Sequence, residues 1–137
     1  MEINMEGIML PQIKIKFSLF GDCNEIEIVS QKFSIADMII KRKKDCPIER
    51  YAEDSCTLEI GYESVIDLCI LTDKLCSILG EKVEIINKIK SKFLLESIII
   101  IVIKAETSAL PITVLNREII TFAFDTNSEI HFDNYFD

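Results

Sequence analysis

Hydrophobic and polar residues alternate most clearly near the start of the chain. Ile13, Ile15, Phe17 and Leu19 are each separated by one polar residue, and this period of two is typical of a strand with one buried face. The alternation ends at Gly21, and the apolar positions 26, 29 and 33 that follow have helical spacing. The sequence therefore predicts a strand that turns into a helix within residues 23–33.

A second alternating stretch covers residues 56–62. Its period predicts a strand with one inward and one outward set of side chains. The inward set comprises Cys56, Leu58, Ile60 and Tyr62. The outward set comprises Thr57, Glu59, Gly61 and Glu63. Ahead of this strand, residues 35–41 fit a short strand or a helix equally well, and the polar residues up to 54 predict a loop.

The second half of the chain mixes helical and strand patterns. Apolar residues recur at helical spacing from Val65 to Leu79, with Gly80 as the expected end of that helix and a further helix over residues 81–90. The apolar run 98–103 predicts a central strand that is covered on both faces. Asn116 is expected to cap a third helix, Asn127 to end it, and residues 129–136 to form the last strand.

This order of elements predicts an α+β fold. We expect a single domain with a mostly antiparallel twisted sheet of four to five strands, packed with two to four helices. Residues 1–11 are expected to be a loosely ordered lead-in, and residues 12–137 to form the domain.

Composition narrows the classes of function. The chain has 137 residues, and its hydrophobic content of 49% excludes intrinsic disorder. Twenty-three acidic against fifteen basic residues give a net charge of −8, which argues against a nucleic-acid partner because phosphates attract basic proteins. The longest unbroken apolar run, residues 98–103, is far shorter than the ~20 residues of a membrane-spanning helix.

The amino-terminal residues and the cysteines indicate the compartment. The first six residues lack the basic and apolar regions of a signal peptide. The five cysteines form no CxxC pair, so the expected location is the reducing cytoplasm, with free thiols. Cys69 and Cys76 are expected to be core thiols. Cys46 lies beside Lys43 and Lys44, and because neighbouring cations favour the thiolate it is the cysteine most expected to be reactive. The favoured interpretation is nevertheless an inert loop cysteine.

Candidate catalytic groups are few. His131 is the only histidine, and on a strand its side chain shares a face with Asp133, which is the arrangement a general base needs. The favoured interpretation is nevertheless a surface histidine. The sequence carries none of the nucleophile, zinc-protease or phosphate-binding motifs, and we expect no enzyme activity, no metal and no cofactor. The basic cluster 41–44 is expected to be a solvated turn.

Acidic residues are concentrated in two parts of the chain. Residues 45–67 contain seven acids and one base, and residues 118–137 are also acidic. If both parts belong to one sheet, their carboxylates are expected to form a negative surface that attracts a basic protein, although general acidity for solubility is an equally favoured explanation. Tyr51, Tyr62 and Tyr135 are candidate aromatic anchors. The expected partner-contacting residues are Glu53, Asp54, Glu59, Tyr62, Glu63, Asp133, Tyr135 and Asp137.

Four short stretches resemble the bacterial domain-of-unknown-function family 4279. They are the turn at 20–22 after the first strand, the strand around 58–60, the helix pair 65–90, and the ending from Leu115 to Tyr135. The resemblance covers about residues 12–137 and implies no catalytic residues. It implies a likeness to proteins that are encoded beside bacterial toxins as immunity partners.

Together these features predict a non-enzymatic binding protein of the cytoplasm. Its most concrete form is an immunity protein that neutralises a basic toxin, such as a nuclease, by direct binding. The alternative is a small-molecule-binding or catalytic domain with a pocket near His131, Asp133 and Tyr135. The oligomeric state is left open by the sequence.

Overall fold

In the part of the chain that the structure describes, five strands form one sheet in the order β2-β3-β1-β4-β5. The computed structural model describes Ile3, Gly7 and residues 9–48 and 52–137. The strands are β1 (Gln12–Gly21), β2 (Ile39–Lys41), β3 (Asp54–Ser64), β4 (Glu96–Ala105) and β5 (Glu129–Phe136). All neighbouring strands are antiparallel except β4 and β5, which are parallel. The fold is therefore α+β with a mostly antiparallel sheet, as predicted.

Four helices complete the described part of the chain. They are α1 (Ile26–Lys32), α2 (Cys69–Leu79), α3 (Val83–Phe93) and α4 (Arg117–Asp125). α2 and α3 are joined by a short 3-10 turn over Gly80–Lys82. Most of the expected lead-in 1–11 lies outside the described residues, and the candidate anchor Tyr51 lies outside them as well.

The helices pack on one face of the sheet. The predicted inward residues Ile13, Ile15, Phe17 and Leu19 of β1 are fully buried on this face. The Phe17 ring meets Phe122 of α4 edge-on, with ring centroids 5.4 Å apart. Because alternate residues of a strand point to opposite faces, the intervening side chains of β1 lie on the other side of the sheet.

β4 is central in the sheet, but only one of its faces is covered by helices. Ile99, Ile101 and Ile103 are buried on the helical side. On the other side Ile98 and Ile100 are half-buried, and Val102 is buried without a helix over it. The expectation of a strand covered on both faces is therefore wrong. The unbroken apolar run reflects a surface that remains apolar without a helix over it.

The ends of α2 and α4 test the capping residues that the sequence predicts. Asn116 caps α4, with its side-chain oxygen accepting a hydrogen bond from the Ile119 amide at 3.1 Å, and Asn127 follows α4 with a φ of 52°, as predicted. Gly80 instead has helical dihedrals of −58° and −35°. α2 ends at Leu79 with Gly80 as its C-cap, as predicted, but Gly80 leads directly into the 3-10 turn instead of adopting a left-handed conformation.

Candidate functional site on the open face of the sheet

The face of the sheet opposite the helices is the candidate functional site, which we call the open face. No helix or strand among the described residues covers it. The strand register aligns its side chains in rows that cross the sheet; one row joins Glu59, Lys16, Ile100 and His131. The open face consists of Lys14, Lys16, Ser18 and Phe20 from β1, Ile39 and Lys41 from β2, Ser55, Thr57, Glu59 and Tyr62 from β3, Ile98, Ile100, Val102 and Lys104 from β4, and Glu129, His131, Asp133 and Tyr135 from β5.

Lysines lie between the two acidic strands of this face. Glu59 of β3 forms ion pairs with Lys14 at 3.4 Å and Lys16 at 4.0 Å. Asp133 of β5 is separated from β3 by both β1 and β4, about 14 Å at the usual strand spacing. This exceeds the ~8 Å over which charges act together at physiological salt. The expected merging of these carboxylates into one negative surface is therefore wrong.

Tyr62 lies flat against two of these lysines. The ammonium groups of Lys14 and Lys104 are each 4.5 Å from the centroid of its ring. A β-bulge directs Tyr62 to the open face: the register between β1 and β3 shifts between Ile13 and Ile15. The ring contributes a rigid apolar plate in a charged neighbourhood, a combination that is common at protein interfaces.

The same bulge sends Glu63 to the helical face. Glu63 is paired with the buried Ile13 in the ladder, and its carboxylate accepts from the ammonium of Lys74 on α2 at 2.5 Å. The predicted shared outward parity of Glu59 and Glu63 is wrong. The inserted residue reverses the alternation, so Tyr62 points outward instead of inward.

A groove crosses the open face from β2 to β4. It has a volume of about 770 Å³, and its floor includes Phe20, Ile98 and Ile100. Within the groove, the hydroxyl groups of Ser18 and Thr57 form a hydrogen bond of 2.8 Å. The loop after β2 forms a wall through Cys46 and Pro47, among others. An apolar floor with charged walls is suited to bind a side chain or a small apolar group.

The remaining predicted residues are dispersed. Glu53 is exposed and lines the groove. Asp54 is only 7% exposed, and its carboxylate accepts backbone hydrogen bonds from Cys23 at 2.8 Å and Lys43 at 2.9 Å. This corrects the expectation for Asp54, because both of its oxygens are engaged inside the protein. Asp137 lies just beyond β5, where its backbone pairs with Ala105 and Thr107.

His131, Asp133 and Tyr135 share the open face of β5, as their spacing predicts. His131 contacts Glu129 at 2.8 Å, and the Tyr135 hydroxyl donates to Asp133 at 3.1 Å. This hydrogen bond raises the pKa of Tyr135, because losing the proton would place two negative charges together. All three residues are exposed. Neither the groove nor a second cavity of about 670 Å³ is lined by them.

Two residues of the basic cluster 41–44, Arg42 and Lys43, are paired with acids in or near α1. Arg42 forms an ion pair with Glu27, and the Lys43 ammonium contacts Asp22 at 3.1 Å. These pairs and the Lys43 amide on Asp54 fix the loop against the rest of the domain. The cluster thus has a structural explanation that does not involve a ligand.

The five cysteines are free thiols. Burial raises the pKa of Cys56, and burial together with nearby acids raises that of Cys69 and Cys76, which disfavours the reactive thiolate. The Cys46 thiol donates to the Ile48 carbonyl at 3.4 Å. Within the described residues, no cluster of three or more His, Cys, Asp or Glu side chains is arranged to hold a metal ion.

The residues that the sequence did not single out are the lysines and isoleucines at the centre of the open face. Lys14 and Lys16 are visible in the alternation of β1, and Ile98 and Ile100 in the apolar run of β4. Only the strand order places them side by side.

Among the described helices, none is long and apolar enough to span a membrane.

Comparison with known proteins identifies a family that this chain matches. The family model described as Domain of unknown function (DUF4279) matches residues 11–137, nearly the whole chain. Searches of curated proteins and of solved structures gave no significant match.

Proposed function

Since the chain belongs to the family of the Domain of unknown function (DUF4279), whose description names no activity, we propose a function from the surface of the structure. The chain is a non-enzymatic protein-binding domain that uses the open face as its contact surface. The observation that carries this proposal is the apolar centre of that face, Phe20, Ile98 and Ile100, with lysines and carboxylates around it. An apolar centre within a polar rim is the usual anatomy of a protein interface.

The most concrete form of this function is that of an immunity protein. It would act in the cytoplasm, where its free thiols remain reduced, and neutralise a bacterial toxin by covering the surface that the toxin uses. The net charge of −8 favours a basic partner, because opposite net charges speed encounter. In contact, Lys14 and Lys104 would face carbonyl or carboxylate oxygens of the partner, with Tyr62 between them as an anchor.

The first experiment asks whether a partner exists. The chain is expressed together with the protein encoded by the adjacent open reading frame, and growth is scored with and without it. An immunity protein restores growth, and the two proteins co-purify. If the adjacent product is harmless, or remains toxic in the presence of the chain, the immunity form is refuted.

The second experiment asks whether the open face makes the contact. Ile39 of β2 is 38% exposed on the open face, and Ile85 of α3 is 41% exposed on the helical side, so Ile39→Asp and Ile85→Asp are matched changes. We expect Ile39→Asp to weaken binding to the adjacent-gene protein by about tenfold or more, and Ile85→Asp to leave it unchanged. Equal effects of the two variants would refute the open face as the contact surface.

Small-molecule binding is the second candidate function. Its specific support is the groove, whose volume of about 770 Å³ lies within the range of small-molecule sites. The proposed position differs from the cluster at His131, Asp133 and Tyr135, which does not line the groove. A fragment screen by NMR with isoleucine methyl labels tests it: a true ligand shifts the methyl signals of Ile98 and Ile100 and leaves that of Ile85 unchanged.

A further inference from the structure

The outer edge of β5 is a long strand edge that no other described strand pairs with. β5 is hydrogen-bonded to β4 on one side only, and all of its residues from His131 onward are exposed. Natural sheets protect such edges with charged side chains, lysine above all, or with proline, bulges or very short strands. The charged side chains of β5 are the carboxylates Glu129 and Asp133. β2, at the opposite edge, has only three residues and ends in Lys41. β5 has eight residues and contains neither lysine nor proline.

The open-face side chains of β5 alternate between hydrogen-bond acceptors and donors. Glu129 and Asp133 carry carboxylates, whereas His131 and Tyr135 are their donors within the chain. In an antiparallel second copy the same four side chains occur in the opposite order, donor, acceptor, donor, acceptor. This order is complementary to that of the first copy. A second β5 that runs antiparallel therefore places a donor opposite each acceptor, so the pairs His131–Glu129 and Tyr135–Asp133 within each chain can be exchanged for pairs between the two chains.

We propose that the chain forms a symmetric homodimer through antiparallel pairing of β5 with β5 of a second copy, with Phe132 at the twofold axis. In this register His131 lies opposite Asp133 of the second copy, and Glu129 lies opposite Tyr135. Each pair occurs twice by symmetry, and directly opposite side chains on a sheet are close enough to interact. The two five-stranded sheets become one sheet of ten strands.

The neighbouring registers are less favourable. An axis at Asp133 places the two Asp133 carboxylates opposite each other, and an axis at His131 places Glu129 opposite Asp133. Like charges directly opposite on a sheet are destabilising. The axis at Phe132 avoids both contacts, so charge complementarity favours it over these two registers.

The helical side of β5 supports the same axis. Phe132 is 42% exposed in the single chain, and its pairing in register with Ile101 places it on the helical side of the sheet. At the twofold axis the two Phe132 rings lie opposite each other and remove apolar surface from water. This inference concerns the edge of the sheet and does not rest on the proposed function of the open face.

Sedimentation equilibrium of the full chain tests the dimer. The chain mass is 15.7 kDa, and the expected mass is twice that value at high protein concentration. His131→Asp places two carboxylates opposite each other at both copies of the His131–Asp133 pair, and we expect it to weaken the dimer by about tenfold or more. The double exchange His131→Asp with Asp133→His restores a complementary pair and is expected to restore the dimer.

Ser91→Asp on the exposed surface of α3 is the control, since it adds the same charge away from β5 and should leave the dimer unchanged. Circular dichroism of each variant establishes that it is folded. A mass of a single chain at every concentration overturns the proposal, and so does a dimer that His131→Asp does not weaken. Binding of the adjacent-gene protein by a monomeric chain would leave the proposed function in place while refuting the dimer.

Discussion

Lys104 and Tyr62 meet on the open face although β1 lies between their strands: the Lys104 ammonium is 4.5 Å from the centroid of the Tyr62 ring. Lys14 contacts the same ring at the same distance. One aromatic side chain therefore connects three strands of the sheet. Each cation–π contact at an exposed site contributes about 0.5–1 kcal/mol.

Removing this ring tests its contribution. We expect Tyr62→Ala to lower the free energy of unfolding by about 1–2 kcal/mol, because it loses two cation–π contacts and the packing of the ring. Tyr62→Phe keeps the ring and is expected to stay within about 0.5 kcal/mol of the natural protein. Urea denaturation measures both values. Equal losses in the two variants would show that the hydroxyl, and not the ring, is responsible.

The bulge that exposes Tyr62 depends on Gly61. Gly61 has a φ of 104°, and a Cβ at this position would lie 2.5 Å from the carbonyl oxygen of Ile13. We expect Gly61→Ala to cost about 2 kcal/mol or more, since strain in φ and a backbone clash act together. Gly80 has helical dihedrals and open space around it, so Gly80→Ala is expected to stabilise the protein by about 0.5–1 kcal/mol.

Thermal and urea unfolding of the two glycine variants give opposite signs if this interpretation is correct. A Gly61→Ala variant as stable as the natural protein would mean that the register shift between β1 and β3 does not depend on glycine. The Gly80→Ala variant also tests the continuity of α2 and α3, because alanine favours a helix through residue 80.

Glu59 and Glu63 provide a test of which face contacts a partner. Glu59 lies between Lys14 and Lys16 on the open face, whereas Glu63 pairs with Lys74 on the helical side. Reversal of either residue to lysine is expected to cost about 1 kcal/mol of stability or less. Glu59→Lys is expected to slow association with a basic partner in a salt-dependent way, and to do so more than Glu63→Lys, which changes the net charge by the same amount on the other side of the sheet. Stopped-flow rates at several salt concentrations distinguish the two, and a larger effect from Glu63→Lys would contradict the open-face proposal.

Asp54 is expected to matter for folding rather than for binding. Its two oxygens accept backbone hydrogen bonds from Cys23 and Lys43, and hydrogen bonds to a charged group contribute about 1.5–3 kcal/mol each. We expect Asp54→Ala to lower the free energy of unfolding by about 3 kcal/mol, measured by urea denaturation. The neighbouring exposed Glu53→Ala is the control and should change stability by less than about 0.5 kcal/mol. Similar values for both would show that the Asp54 hydrogen bonds contribute little.

The contrast between β1 and β3 shows what the sequence could predict. In β1 the period of two is unbroken from Ile13 to Leu19, and all four predicted inward residues are fully buried. The cap at Asn116 and the left-handed Asn127 also follow from local chemistry. Such features depend on a few neighbouring residues, and the sequence contains the whole signal.

The candidate site depended on features that are not local. A single inserted residue near Gly61 reversed the faces of Tyr62 and Glu63, and no alternation pattern marks such an insertion. The acidic surface required β3 and β5 to be neighbours, whereas Lys14, Lys16 and Lys104 lie between them. Strand order is set by packing of the whole domain, so the charge of the open face could not be obtained from the spacing of acids along the chain.

Lys90 connects α3 to the segment between α4 and β5. Its ammonium donates to the Ser97 hydroxyl at 2.8 Å and to the carbonyl oxygen of Thr126. Burial lowers the pKa of Lys90 below its ordinary value of 10.5, and the charge of Glu96 opposes this shift. As the pH rises through the lowered pKa, the folded protein releases this proton while the unfolded chain still binds it.

A state that binds more protons is disfavoured as the pH rises, so the contribution of Lys90 to folding stability increases with pH between its lowered pKa and 10.5. We therefore expect the stability difference between the natural protein and Lys90→Met, measured by urea denaturation over an alkaline pH series, to shift in favour of the natural protein across this window. A difference for Lys90→Met that stays constant or shifts the other way would mean that burial of the ammonium does not perturb its titration, because linkage requires the trend whenever the two pKa values differ.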